Sequence, residues 1–257
     1  MVRVIIIIGR AMTSAIPAPR CALPRAVIFD AGNTLIQMNY AVIAAFLAGR
    51  GHAVDEAGVH EAELRARVRL DADLAVPRTS TESVATHTDY LRYVLDHLGI
   101  AGEDEVEAIA EWRRAYNPPV GLWSQADPEA AAALGRVKRA GLVAGVISNS
   151  NGSVRSILEA TGLAPYLDFV LDSSVVGVEK PDRRIFELAL REARVTAGEA
   201  VYVGDLYSVD VLGARAAGID AILLDPRGLW GPRDCRVARG LAGAVALLLG
   251  EEATSAA

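Results

Sequence analysis

The chain has 257 residues, 52% of them apolar, enough to bury a large core together with a smaller appended module, which excludes a wholly disordered chain. Its 26 basic and 32 acidic residues give a formal charge of −6, and no basic block is long enough to track a phosphate backbone, which argues against nucleic acid as a partner. The two cysteines, Cys21 and Cys235, lie far apart with no Cys-x-x-Cys spacing and no neighbouring histidine, so they read as reduced thiols of a cytoplasmic protein.

In chain order, the sequence opens with Arg3, a short apolar run from Val4 to Ile8 and small residues from Ala11 to Ala18. That run is shorter than the roughly 7 to 15 residues of a signal-peptide core, and no stretch reaches bilayer-spanning length, so no membrane association is expected. Residues 1–24 read as a loosely ordered leader, with Met1 or Met12 as the start. From Arg25 onward, short β-branched runs alternate with amphipathic patterns, which predicts an α/β fold with a parallel sheet covered on both faces. The runs are Ala26 to Phe29, Leu142 to Ile147, Asp168 to Leu171, Ala200 to Val203 and Ala221 to Leu224. A helix is expected from Asp127, whose Asp-Pro-Glu start leads an alanine-rich run to Arg139. Others are expected over Ser153 to Ala160, Pro181 to Arg194, Ser208 to Ala217 and Val237 to Leu249.

One interval breaks the alternation. Between the first two long strands lie four helical patterns, about 39–50, 55–74, 81–98 and 104–116, closed by Asn117-Pro118-Pro119, which cannot continue a helix. The chain therefore divides into a core of 25–37 and 121–257 and an inserted helical module of 38–120.

In an open parallel sheet, ligands bind beyond the carboxyl ends of the strands. Asp30 ends the first strand, followed by Ala31-Gly32-Asn33-Thr34; Ser148 and Asn149 end the second. Lys180 lies in a loop ahead of a helix, and Asp205 follows Val203-Gly204 with Asp210 five residues on. Three carboxylates on one edge repel one another, so a bound cation is the economical reason to keep them there. Oxygen-only ligands favour magnesium over zinc. A lone lysine and a hydroxyl beside turn amides suit a phosphoryl group. Composition also singles out Lys180: the chain has 24 arginines but only two lysines, Lys138 and Lys180, so a compact ammonium stands where arginine is the default.

Four segments resemble the ordered motifs of the haloacid dehalogenase superfamily over roughly residues 25 to 230: Ala26-Val-Ile-Phe-Asp-Ala-Gly-Asn-Thr-Leu35, Val146-Ile-Ser-Asn149, Lys180-Pro-Asp182 and Gly204-Asp-Leu-Tyr-Ser-Val-Asp210. The resemblance implies a Rossmann-like, doubly wound core with a helical cap inserted between the first and second motifs. It also implies a magnesium-dependent phosphatase acting on a small phosphorylated metabolite. Asp30 would be nucleophile and metal ligand, with Ser148 and Lys180 anchoring the phosphoryl group and Ala31, Gly32 and Asn149 lining it. Asp205 and the Gly32 carbonyl would bind the metal directly, and Asp210 would support it as a ligand or through water. Thr34 reads as structural, bonding locally to hold the turn.

One departure matters. Most phosphatases of that family carry a second aspartate two residues after the nucleophile, as general acid and base; here the position is Gly32. Such help is worth on the order of 10² to 10⁴ in rate. Three readings stay open: a phosphatase suited to aryl or acyl phosphates, whose leaving groups need no acid; a metal-independent 2-haloacid dehalogenase; and a non-enzymatic ligand-binding protein. One of the cap histidines, His52, His60, His87 or His97, could replace the acid, or all four could be solvated. Arg65, Arg67 and Arg69, with Tyr90, Tyr93 and Trp112, are candidate substrate contacts, although their spacing spreads the arginines around a helix as a solvated, ion-paired face. Hinges are expected near Gln37 to Asn39 and Asn117 to Gly121. Oligomeric state has no signal in the sequence.

Overall fold

The computed structural model describes residues 23–76, 80–116 and 121–251. The expected leader up to residue 22, Cys21, both candidate starts and residues 117–120 of the expected exit hinge lie outside the described residues.

Strand β1 (Ala26–Phe29) is buried at every residue, as an unbroken apolar run requires in a sheet covered on both faces. Val27 and Phe29 pack on one face with Leu134 and Val245, while Ala26 and Ile28 pack on the other with Ile185 and Phe186, which is the two-residue period of a strand. The chain then turns into a two-residue strand, β2 (Ile36–Gln37), and enters helices α1 (Tyr40–Gly49), α2 (Glu56–Leu74), α3 (Val84–His97) and α4 (Glu103–Tyr116). Polar side chains start three of them: Asn39, Asp55 and Ser83 accept from the backbone N–H of Val42, Gly58 and Thr86. These helices share their own apolar core around Ile43, Leu47, Val59, Leu95 and Ile109. The chain returns through β3 (Gln125–Ala126), antiparallel to β2, so the two crossings are stitched together.

The remaining elements are α5 (Ala130–Arg139), β4 (Val143–Ser148), α6 (Val154–Ala160), β5 (Phe169–Asp172), α7 (Ser173–Val176), α8 (Arg183–Ala193), β6 (Ala200–Gly204), a wide π-type turn (Tyr207–Val211), α9 (Leu212–Ala216), β7 (Asp220–Leu224), β8 (Arg236–Ala238) and α10 (Leu241–Leu249). Six strands form one parallel sheet in the order β5-β4-β1-β6-β7-β8. The strand order reverses beside β1, which opens the ligand crevice of a doubly wound sheet at its carboxyl end.

Three expectations shift. Helix α5 begins at Ala130 because Asp127 Oδ1 accepts from Glu129 N–H and holds a turn ahead of it. The last helix starts at Leu241, since Arg236–Ala238 instead extends along β7 as the edge strand. The helix expected from Ser208 opens with the π-type turn, which places Asp210 within bonding distance of the Asp205 backbone. Among the described residues, no helix is long and apolar enough to cross a membrane.

Candidate active site

Asp30 follows β1, Ser148 ends β4 and Asp205 follows β6, so three adjacent parallel strands deliver them to one edge. One carboxylate oxygen each of Asp30, Asp205 and Asp210 lies within 4.8 Å of the other two, and all three residues are buried. Lys180 Nζ donates to Asp30 Oδ1 at 2.5 Å, to Asp210 Oδ1 at 2.8 Å and to Tyr202 OH at 3.0 Å. An ammonium has three donors, and all three are used here.

Asn149 fixes this lysine through its backbone: Asn149 Oδ1 accepts from Lys180 N at 2.8 Å and its Nδ2 donates to Lys180 O at 2.9 Å. Because Nδ2 also donates to Thr81 Oγ1 at 2.8 Å, the Asn149 side chain holds Lys180 and the helical module together and presents no free donor to a phosphate. Asp210 is held as firmly, its Oδ2 accepting from the N–H of Asp205 and Leu206 at 3.1 and 3.0 Å. Gly204 permits that close approach: a Cβ there would lie 2.5 Å from Asp210 Cγ. The Ser148 hydroxyl makes only a long bond, 3.4 Å, to Asn149 O. Ala31 is fully buried and donates its N–H to the Asp30 carboxylate, while Gly32 and Asn33 form the cavity wall. Thr34 departs from expectation. Its Oγ1 is buried without a hydrogen-bond partner, and the turn is held by Ala31 O, which accepts from Leu35 and Ile36 N–H at 2.9 Å.

Burial pushes the Asp30 carboxyl up to about 6 against the pull of Lys180. Burial raises Asp205 well above the carboxylate range, and nearby Arg67 does not cancel it. For Lys180, burial opposes the charge, yet Asp210 and Asp30 hold its pKa above the ordinary lysine value.

The feature that sequence reasoning missed comes from α2. Arg67, expected on a solvated face, is buried: Nε donates to Glu63 Oε1 at 2.9 Å, Nη2 to Glu63 Oε2 at 2.5 Å, and Nη1 stands 3.3 Å from Asp205 Oδ2. Glu63 is fully buried and also accepts from Asn33 Nδ2 at 3.1 Å, Tyr40 OH at 3.2 Å and Tyr90 OH. Arg65 and Arg69 do face solvent, paired with Glu61 and Asp96. The missed signal is spacing. Glu63, Arg67 and Asp71 recur every fourth residue in register with Val59, Ala66, Leu70 and Leu74, so the charged stripe shares the buried face. Asp71 meets the core as well, accepting from Ser208 N and Oγ at 2.8 and 2.7 Å.

The cavity above Asp30 has a volume of about 1200 Å³. Tyr90 lines it, whereas Tyr93 bonds Asp73 and Trp112 stacks on Phe46, neither in the wall. His87 is the one histidine in that wall, 3.8 Å from Glu82, and His60 is stacked on Tyr40. Trp123, also unanticipated, covers Gly32.

The ion-paired set holds four buried carboxylates, Asp30, Glu63, Asp205 and Asp210, against two buried cations, Lys180 and Arg67. Fully ionised, this set would carry two negative charges more than it balances, and the raised Asp205 and Asp30 carboxyls reflect that cost; a hard dication with oxygen ligands, such as magnesium, would offset it.

A family model described as haloacid dehalogenase-like hydrolase matches residues 24–218. The ribulose-1,5-bisphosphate 5-phosphatase of Halopiger xanaduensis is 30% identical over 210 residues, covering 78% of this chain and 84% of that protein. Among solved structures, the 2-haloacid dehalogenase from Pseudomonas syringae is 27% identical with a TM-score of 0.53, over 90% of this chain and 100% of that one. The HAD-hydrolase YfnB from Bacillus subtilis shares the fold at 15% identity and a TM-score of 0.61, over 89% of this chain and 100% of that one.

Proposed function

The chain belongs to the haloacid dehalogenase-like hydrolases, and on that premise we propose that it is a magnesium-dependent phosphatase of small phosphorylated metabolites, with Asp30 as covalent nucleophile. The observation that carries this reading is the contact of one buried lysine with Asp30 and Asp210, inside a carboxylate cluster whose charge is still uncompensated. Magnesium, held by Asp30, Asp205, Asp210 and the Gly32 carbonyl, would supply the missing positive charge and polarise the phosphoryl oxygens.

The chain's own residues do the rest. Asp30 Oδ attacks phosphorus, forming an acyl phosphate, as the ester P–O bond breaks and its electron pair stays on the departing oxygen. Lys180 exchanges one of its three bonds for a phosphoryl oxygen, and the weakly bonded Ser148 hydroxyl donates to another. Asn149 keeps Lys180 in place throughout. Water then attacks phosphorus, which releases phosphate and regenerates Asp30.

A dehalogenase reading is favoured by Gly32, since halide leaves unprotonated, and by the Pseudomonas syringae neighbour. Against it stands the buried set of oxygen ligands at Asp30, Asp205 and Asp210, suited to a metal ion that halide displacement does not need. The deciding experiment assays p-nitrophenyl phosphate, alkyl phosphates and 2-chloropropionate with and without magnesium, on the wild type and Asp30→Asn. Magnesium-dependent release of phosphate that Asp30→Asn lacks supports the phosphatase; metal-independent chloride release with no phosphate release overturns it.

A further inference from the structure

In the nucleophile loop, Gly32 offers no proton donor for the departing oxygen, and Trp123 fills the adjoining space, its ring 3.4 Å from where a Gly32 Cβ would stand. We propose that Arg67, delivered by α2, is a catalytic residue that hydrogen-bonds the departing ester oxygen and stabilises the negative charge that builds there. The proposal rests on the phosphatase reading and assigns the leaving-group end of the same site.

Position comes first. In an in-line displacement, nucleophile and leaving group stand on opposite sides of phosphorus. With Asp30 on the sheet edge, the departing oxygen faces the helical module, the side from which Arg67 enters the cavity wall. Arg67 Nη1 lies 3.3 Å from Asp205 Oδ2, at the carboxylate cluster that contains the nucleophile. Lys180 stands at the nucleophile, bonded to Asp30, Asp210 and Tyr202.

Rigidity comes second. Two guanidinium nitrogens, Nε and Nη2, are locked by Glu63, and Glu63 is held in turn by Asn33, Tyr40 and Tyr90. The Nη1 edge reaches the carboxylate cluster, 3.3 Å from Asp205 Oδ2, so little side-chain reorganisation is needed when charge develops beside it.

The other side chains of the cavity that could donate to a leaving group are less prepared. His87 stands beside Glu82 at 3.8 Å, too far for a hydrogen bond to orient it. Arg113 and Arg114 line the wall with no hydrogen bond or ion pair to any described residue, so nothing fixes their forks. Arginine does not transfer its proton in this scheme. The P–O bond breaks, the electron pair stays on the departing oxygen, Arg67 N–H donates a hydrogen bond to it, and water supplies the proton after release.

The test compares kcat/KM over phosphomonoesters whose leaving groups range from p-nitrophenol to simple alcohols. The paired variant Glu63→Gln/Arg67→Met removes one charge of each sign, so the net charge of the buried set is unchanged, although Asp205 loses its 3.3 Å contact with Arg67. Its loss is expected to be about 10² to 10³-fold on alkyl esters and under about tenfold on p-nitrophenyl phosphate. Magnesium binding of the same variant, followed by calorimetry, separates an effect on the metal site from one on the leaving group. Should the pair fail to fold by circular dichroism, Arg67→Lys, which keeps the charge and loses the fork, is expected to show the same steepening in weaker form. An equal loss on all esters, or no loss, overturns the proposal, as does much tighter magnesium binding with an unchanged leaving-group dependence. Phosphate release abolished in Asp30→Asn but with wild-type leaving-group dependence in the pair sinks this inference alone; wild-type protein that hydrolyses no ester sinks the phosphatase reading with it.

Discussion

The indole of Trp123 stands 3.4 Å from the point that a Cβ on Gly32 would occupy. A Cβ alone would fit in ordinary contact, and the indole limits the room for a carboxylate beyond it. Restoring the acid is therefore expected to take two changes. Gly32→Asp alone is expected to leave turnover of alkyl phosphates unchanged, and Gly32→Asp with Trp123→Ala to raise it, toward the roughly 10²-fold that general acid help supplies. Steady-state rates on a simple alkyl phosphate check this; an equal gain in the single variant would show that the ring yields freely.

Lys180 uses all three of its protons on acceptors pointing in different directions, Asp30, Asp210 and Tyr202. A planar guanidinium cannot reproduce that arrangement in a closed site, although it keeps the charge. Lys180→Arg is expected to lower kcat by about 10²-fold or more on p-nitrophenyl phosphate. Wild-type kcat in that variant would show that charge alone suffices.

Glu63 and Arg67 form a buried ion pair one helical turn apart. Glu63→Ala leaves Arg67 with only its 3.3 Å contact to Asp205, so it is expected to cost about 3–5 kcal/mol in urea unfolding, whereas Glu63→Gln/Arg67→Met is expected to cost less. A loss in the paired variant as large as in Glu63→Ala would mean that Arg67 is not stranded by losing its partner.

Much of the core can be read from the sequence, because the strands of a sheet covered on both faces must be apolar throughout and the residues that follow them are polar for chemical reasons. Asp30, Ser148, Lys180 and Asp205 stand out in this way, at the ends of apolar runs or in short loops. Glu63 and Arg67 do not. They lie on a helix with charges on every side, and only their register with Val59 and Ala66 separates them from the exposed Arg65 and Arg69. Trp123 escapes for another reason: it meets Gly32 across about ninety residues of intervening chain, a contact that no local pattern encodes. Strand β8 is hidden because Val237 and Ala238 suit the start of a helix as well as an edge strand, and pairing with β7 decides between them.

The surplus negative charge at Asp30, Asp205 and Asp210 makes magnesium a stabilising ligand of the folded state. At about 100 times its Kd, an ion that binds only the folded protein adds about 2.7 kcal/mol. A concentration-dependent rise in Tm with magnesium, reversed by EDTA, is expected in the wild type and lost in Asp205→Asn. A rise of equal size in that variant would place the ion elsewhere.

Glu199 offers a pH test away from the active site, at the turn that leads into β6. Its carboxylate accepts from Thr196 N and Oγ1, both at 2.8 Å, and from Arg25 Nη1 at 3.0 Å, just ahead of β1. The Thr196 backbone N–H first, and Arg25 next, hold its pKa at about 2, below the ordinary 4.5. Because the folded-state value is depressed, the stabilisation is fully present above about pH 4.5 and is lost as the pH falls toward about 2. Arg25 is largely exposed, so the effect is modest and screened by salt. In urea unfolding, the stability gap between wild type and Glu199→Gln is expected to be widest near neutral pH, to narrow as the pH drops below about 4.5 and to close near about 2. A gap that stayed constant from neutral to acid pH would mean that the carboxylate's charge contributes nothing to joining this turn to the first strand.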